Sequence, residues 1–151
     1  MILYLVRHGK AEDGDKDDLR RLTPGGQKAV ARVAQTLSSG AVRPARIQHS
    51  GLVRARQTAE IIAAAVDAPL EAVEDLSPLA PVEPTARRLV ATRDESILLV
   101  GHLPFMGRLA SHLLTGDSDA ELLHFRTASV ACLALGEGGW QLEWFLAPKL
   151  A

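Results

Sequence analysis

One cysteine, Cys132, is all the 151-residue chain contains. That excludes an internal disulfide, and no paired-cysteine motif is present to build the usual structural zinc sites, so a reducing, cytoplasmic setting is expected. Neither sign of charge dominates: 17 Lys+Arg stand against 18 Asp+Glu, for a formal net charge of -1. No overall field exists to concentrate the protein on nucleic acid, and nucleic acid is not an expected partner. Long hydrophobic runs are also missing. The apolar stretch at the N-terminus ends at Arg7, far short of a signal-peptide core or a membrane span, so neither export nor a membrane partner is expected. No solenoid-type period recurs. The H-E-x-x-H pattern is absent, and His49, His112 and His124 have no companions at ligand spacing, so no metal site is expected. What is present is a 47% hydrophobic composition at a length suited to one core, which predicts a single domain over residues 1–151.

Ile2 to Val6 is an uninterrupted β-favouring run, as in a strand covered on both faces. Thr23-Pro24 supplies a cap and a first-turn proline for a helix carrying Val30, Val33, Ala34 and Leu37 on one face until Gly40. Arg46 to His49 is a weaker strand. Ser50 is placed to cap a second helix with Ala55, Ala59, Ile62 and Val66 along one stripe. A third helix is predicted from Pro84 to about Arg93, and Ser96 to Val100 (SILLV) again reads as a buried strand. After Pro104, the spacing of Met106, Leu109, Ala110, Leu113 and Leu114 predicts a fourth helix, closed by Gly116. Ser129–Leu135 and Trp140–Leu146 flank the Gly136–Gly139 turn as a hairpin, with Trp140, Leu142 and Trp144 alternating against Gln141 and Glu143. The order βαβα(β)αβαββ implies an α/β fold: a mainly parallel central sheet, covered on both faces, with the last strand antiparallel at an edge.

In such a sheet the ligand crevice lies beyond the carboxyl ends of the strands. Arg7-His8-Gly9 follows the first strand, Ser50 and Arg54 follow the second, and Gly101-His102 follows SILLV. Each has a plain alternative. A histidine at a strand end is more often structural than catalytic, and Arg54 could be an ordinary surface residue. Yet Arg54 falls in the first turn of its helix, where a cation opposes the helix dipole unless an anion sits beside it. Positive charge around His8 favours the neutral, nucleophilic imidazole, and glycine after it allows close approach to the backbone. Two imidazoles and two guanidiniums at separate strand ends describe a phosphoryl pocket, with forked donors for the oxygens and a nitrogen nucleophile. Cys132, Trp140 and Trp144 read as packing residues.

The segment L-V-R-H-G-K-A at Leu5–Ala11 resembles the signature of the histidine phosphatase superfamily, the phosphoglycerate-mutase-like fold. It is accompanied, in that family's order, by R-x-L-T-x-x-G from Arg20 or Arg21 to Gly26, S-x-x-x-R-A-x-Q-T-A at Ser50–Ala59, and V-G-H-x-P at Val100–Pro104. The short length and the continuation to Leu109 are most similar to the SixA-type phosphohistidine phosphatases. The resemblance implies a three-layer αβα sandwich. It makes His8 the residue that becomes phosphorylated, with Arg7, Arg54 and His102 around the phosphoryl oxygens and Gly9 and Ser50 supporting the pocket. It requires no cofactor or metal ion, and its implied partner is a phosphorylated protein, a histidine-containing phosphotransfer domain being one form.

One departure matters. Larger relatives place a glutamate general acid shortly after the second helix region, where this chain has Glu74-Asp75-Leu76-Ser77-Pro78-Leu79 and offers Pro78. An alkoxide leaving group needs that proton and an imidazole far less, so the omission favours a P–N substrate. Glu74, Asp75, Glu83 and the acids of the Glu12–Asp18 loop remain candidates to replace it. With roughly twenty residues between Ala68 and Arg88 there is no room for a lid, which suits an open pocket able to admit a protein side chain. Two other functions stay in view: a phosphatase of a small phosphomonoester or sugar phosphate, and a silent phospho-ligand binding module.

Overall fold

The computed structural model describes residues 1–151. Six strands, β1 (Ile2–Arg7), β2 (Arg46–His49), β3 (Leu70–Ala72), β4 (Ile97–Gly101), β5 (Val130–Gly136) and β6 (Gly139–Leu146), form one sheet in the order β3-β2-β4-β1-β5-β6. The four strands from β3 to β1 are parallel, with Arg7 opposite Gly101 and His49 opposite Val100. That register brings the carboxyl ends of β1, β2 and β4 level. Helices α1 (Pro24–Ser39) and α2 (Val53–Val66) cover one face, and α3 (Glu83–Ala91) and α4 (Phe105–Thr115) cover the other.

Alternation along β1 and β4 divides the core. Val6, Leu98 and Val100 meet Val30, Val33, Ala59 and Ile62 on the first face, while Leu3, Leu5 and Leu99 meet Leu89, Met106 and Leu109 on the second. The central strands are therefore apolar on both sides, as their unbroken hydrophobic runs require. Each fully buried Leu or Ile in these layers contributes about 1.5–3 kcal/mol. No helix is long and apolar enough to cross a membrane.

The helix ends follow local chemistry. The Thr23 hydroxyl accepts the Gly26 N–H at 2.9 Å at the start of α1, and Gly116 takes the left-handed conformation (φ 80°) that ends α4. Four details differ from the sequence reading. Ser50 does not cap α2, whose N-cap is Leu52; its hydroxyl instead accepts the Leu52 N–H and meets His102. Helix α3 begins one residue before Pro84 and ends at Ala91, where Thr92 turns its hydroxyl back onto the Arg88 and Leu89 carbonyls. The strand that opposes the parallel set is β5, paired antiparallel to β1, and the edge strand β6 is antiparallel to β5 in turn. Finally, Cys132 pairs with Trp144 but Leu133 with Leu142, leaving Glu143 as an extra residue in β6. This bulge reverses the facing of the side chains beyond it. Trp140 joins the α3/α4 layer, whereas Trp144 lies on the other face against Tyr4, ring centroids 6.0 Å apart.

Candidate active site

The carboxyl ends of β1 and β4 are tied by the His8 N–H donating to the Gly101 carbonyl at 2.9 Å. This places the His8 and His102 rings 5.1 Å apart between centroids. Arg54, the second residue of α2, is 5% exposed, and Ser50 lies on the turn between β2 and that helix. His8, His102 and Ser50 are thus set by neighbouring strands and Arg54 by the adjoining helix, while Arg7 is the last residue of β1.

His8 Nδ1 stands 2.6 Å from the Gly9 carbonyl. A carbonyl only accepts, so Nδ1 carries the proton and Nε2 keeps its lone pair. Burial pulls the imidazole pKa down to about 4, aided by the charges of Arg54, Arg7 and Arg20 and opposed by the Gly9 hydrogen bond. At neutral pH the ring is the neutral nucleophilic form. His102 is 1% exposed and lies lower still, at about 3, first through burial and then through His8 and Arg54, with Asp17 acting in the opposite sense. Its Nε2 is 2.5 Å from Ser50 Oγ. Leu52 N–H uses one lone pair of that oxygen at 3.3 Å, which leaves the serine proton free to point at Nε2. With the serine donating, His102 Nδ1 carries the hydrogen, and in either tautomer that atom is buried with no partner.

The two arginines are held in the same half-used fashion. Arg7 Nη1 donates to the Phe125 carbonyl at 3.0 Å, and Arg54 Nη1 and Nη2 donate to the Asp17 carbonyl and Oδ2 at 2.7 and 3.2 Å. In both, Nε is buried without an acceptor. Buried donors normally find partners, and leaving one unmatched costs about 1–3 kcal/mol. Three unmatched buried nitrogens thus lie on residues that neighbour the neutral His8 imidazole.

Other motif residues also make contacts that hold the pocket together. Thr58, fully buried, accepts the Gly9 N–H at 3.0 Å and donates to the Arg54 carbonyl at 2.8 Å, so one hydroxyl fixes the His8 loop against the first turn of α2. Gln57 Oε1 accepts the Leu22 N–H at 2.8 Å, and Ala55 and Ala59 are small enough to lie flat on the sheet. Gly9 has a packing reason: a Cβ there would come within 2.6 Å of Val30 Cγ2. Thr58 and Arg20 lie within the motifs read from the sequence and Asp17 among the acids of the Glu12–Asp18 loop, but their contacts with Gly9, Arg54 and each other come only from the fold. Of Arg20 and Arg21, only Arg20 has the spacing R-x-L-T-x-x-G; its charge acts on His8 and it binds Asp17, Nη1 to Oδ1 at 3.0 Å.

Other candidates lie apart. His49 Nδ1 accepts the Gly51 N–H at 3.1 Å. His112 is on α4, and His124 lines a groove of about 430 Å³ with Leu103, Pro104, Arg108, Asp119 and Phe125. Leu103 follows His102 and the Phe125 carbonyl holds Arg7, so this groove adjoins the pocket. Cys132 is buried in β5, and burial pushes its thiol up to about 11. Among the possible acids, Asp75 has both oxygens on Arg88, at 2.9 and 3.0 Å.

Comparison with known proteins places this geometry in context. The family model described as histidine phosphatase superfamily (branch 1) matches residues 3–80. The phosphohistidine phosphatase SixA of Escherichia coli K12 is 30% identical over 155 aligned positions, covering 98% of this chain and 94% of the relative. A solved structure of the protein histidine phosphatase SixA complexed with tungstate superposes with a TM-score of 0.90 at 29% identity, covering 99% of both chains. The alpha-ribazole phosphatase of Shigella flexneri superposes at 0.83 with 16% identity, covering 98% of this chain and 97% of the other, a likeness of fold alone.

Proposed function

Because the chain belongs to the histidine phosphatase superfamily, we propose that it hydrolyses phosphohistidine in a protein through a phosphoryl intermediate on His8. The observation that carries this reading is the hydrogen bond from His8 Nδ1 to Gly9, which leaves Nε2 with its free lone pair on a residue whose neighbours Arg7, Arg54 and His102 each keep an unmatched nitrogen. Nε2 attacks phosphorus, and the P–N bond to the substrate imidazole breaks. The arginines and His102 then offset charge on the equatorial oxygens, supplying by fixed donors the stabilisation that a metal gives elsewhere. Water subsequently attacks the phosphorylated His8 and releases phosphate. The likeness to a SixA complexed with tungstate supports oxyanion binding, since tungstate is a tetrahedral anion like phosphate.

The substrate preference follows from proton supply. Asp75 is engaged by Arg88, Pro78 carries no acid, and the Asp17 carboxyl is held below its usual range, first by its Arg20 hydrogen bond and then by Arg54. Neither Asp75 nor Asp17 is thus held as a proton donor for an alkoxide leaving group, and an imidazole needs that proton far less. The partner class is a protein bearing phosphohistidine, such as a histidine-containing phosphotransfer domain, presented in the cytoplasm. The test is a panel assay in EDTA with phosphohistidine peptide, phosphoramidate and common phosphomonoesters, combined with trapping of acid-labile, base-stable label. Hydrolysis of the P–N substrates with label on His8 supports the reading. Label on Cys132 or a carboxylate, or esters turned over in preference, overturns it.

A further inference from the structure

We propose that the groove beside the phosphoryl pocket seats the polypeptide of the substrate, taking an apolar side chain and a basic one that lie within about three residues of the phosphohistidine. The proposal rests on the phosphohistidine reading above and adds which features of the partner chain are recognised.

The groove, of about 430 Å³, is continuous with the pocket through both of its walls. One wall runs from Leu103, bonded to His102, to Gly107 and Arg108 on α4. The other is the loop after α4, where Asp119, Glu121 and Leu123 lead to Phe125, whose carbonyl accepts Arg7 Nη1 at 3.0 Å. That loop is held in place: the fully buried Ser111 hydroxyl accepts the Leu122 N–H at 3.1 Å, and Asp117 Oδ1 accepts the Asp119 N–H at 2.9 Å. Little ordering cost therefore opposes binding there. From Leu103 to Gly107 is about 6 Å at helical rise, a span that an extended chain covers in about two residues. The nearest neighbours of a phosphohistidine held against His8 are thus the ones within reach of the groove.

Gly107 points to an occupant. Glycine is the poorest helix former after proline, yet it stands as the third residue of α4. Gly9 and Gly101 are kept small by their neighbours, since an added Cβ would come within 2.6 Å of Val30 and 2.7 Å of Met106. At Gly107 an added Cβ meets nothing nearer than Leu103 Cδ2, at 3.7 Å. The fold has room for a side chain there and carries none, which leaves the space to whatever enters the groove. Half-buried Leu103 and Leu123 make part of the lining apolar. The charge of the lining is acidic: Arg108 is paired with Asp119, Nε to Oδ1 at 3.5 Å, while the exposed Glu121 forms no ion pair. An apolar side chain with a lysine or arginine beside it matches both features.

Two phosphohistidine peptides test this, one with a leucine and a lysine next to the phosphohistidine and one with serine and glutamate there, beside phosphoramidate as a probe too small to reach the groove. The parent is expected to favour the first peptide about tenfold in kcat/KM, the worth of one buried leucine. Gly107→Leu, which fills the groove from a helix, should erase that preference through KM, with kcat and phosphoramidate hydrolysis within about twofold and Tm unchanged or raised. Glu121→Lys should narrow the preference about threefold at low salt. A parent without the preference, or a preference that survives both substitutions, overturns the proposal. So does an equal fall of peptide and phosphoramidate rates in Gly107→Leu, which would make Gly107 a support for His102. If that variant does not fold, Gly107→Ala and Glu121→Lys carry the same comparison. Failure of the parent to hydrolyse any P–N substrate would instead overturn the phosphohistidine reading, and this proposal with it.

Discussion

Arg88 and Arg54 are both buried or half-buried guanidiniums beside an aspartate, yet they serve opposite ends. Every nitrogen of Arg88 has an acceptor: Nε and Nη2 on the two oxygens of Asp75 at 2.9 and 3.0 Å, and Nη1 on Gln48 Oε1 at 2.6 Å. Gln48 continues the chain to Glu71 at 2.7 Å. Arg54, more deeply buried, keeps Nε unmatched, and Arg7 and His102 beside it do the same. The satisfied cluster joins α3 to β2 and the turn Glu74–Leu76. The unsatisfied one carries a desolvation cost that a bound anion would relieve. Site and staple are thus told apart by hydrogen-bond accounting rather than by residue type.

That contrast is broken most severely at the nucleophile. His8→Ala is expected to abolish turnover and labelling while leaving a folded protein, because the neutral Nε2 has no substitute; full activity in that variant would remove His8 from the mechanism. The next test pairs the two arginines. Arg54→Lys keeps the charge but loses the planar fork, and at about 1.5–3 kcal/mol for a charged hydrogen bond kcat/KM should fall some 10- to 150-fold with little change in Tm. Arg88→Lys should do the reverse, lowering Tm by a few degrees with kcat/KM within about threefold. Equal effects of the two substitutions on Tm and on rate would dissolve the distinction.

Thr58 sharpens the boundary between the regions. Thr58→Val removes the hydroxyl that joins Gly9 to Arg54, and about tenfold in kcat with 1–3 kcal/mol of stability is the expected loss. Thr58→Ser should recover most of both, and a serine variant as poor as valine would place the role in the methyl group instead.

The effect that bears least on activity is the pH dependence of stability. His8 and His102 titrate near 4 and 3 in the fold and near 6.5 in the unfolded chain. Between those values the unfolded chain binds more protons, so stability is full above about pH 6.5 and declines as pH falls towards 4. Urea unfolding should show a loss of about 4 kcal/mol between pH 7.5 and pH 5, about 2 from each ring, roughly halved in His8→Gln. A loss unchanged by that substitution would assign the slope to other groups.

Much of this was legible along the chain. His8, Arg7 and His102 stand directly after hydrophobic runs that can only be central strands, and Arg54 sits where its helix should repel a cation. The compensating anion was not legible. Asp17 is one of several acids in the Glu12–Asp18 loop, and only the fold carries it across 37 positions to Arg54. Thr58 was hidden by its place within a helix, since a buried hydroxyl has no periodic signature. The direction of β5 and the bulge at Glu143 escaped because alternation reports which residues share a face only while the ladder is regular. Ser50 was misplaced as a cap because a serine before a helix has the same sequence appearance whether its oxygen holds the helix or a histidine.

The account turns on a site that phosphorylates His8 without donating a proton to the leaving group. Initial rates on a series of phenyl phosphates spanning several pKa units, measured beside a phosphohistidine peptide, address this directly. The account predicts that ester rates fall steeply as the phenol becomes less acidic while the peptide stays fast. A flat dependence, with alkyl esters turned over as fast as the peptide, would contradict it and identify a phosphatase of small phosphomonoesters.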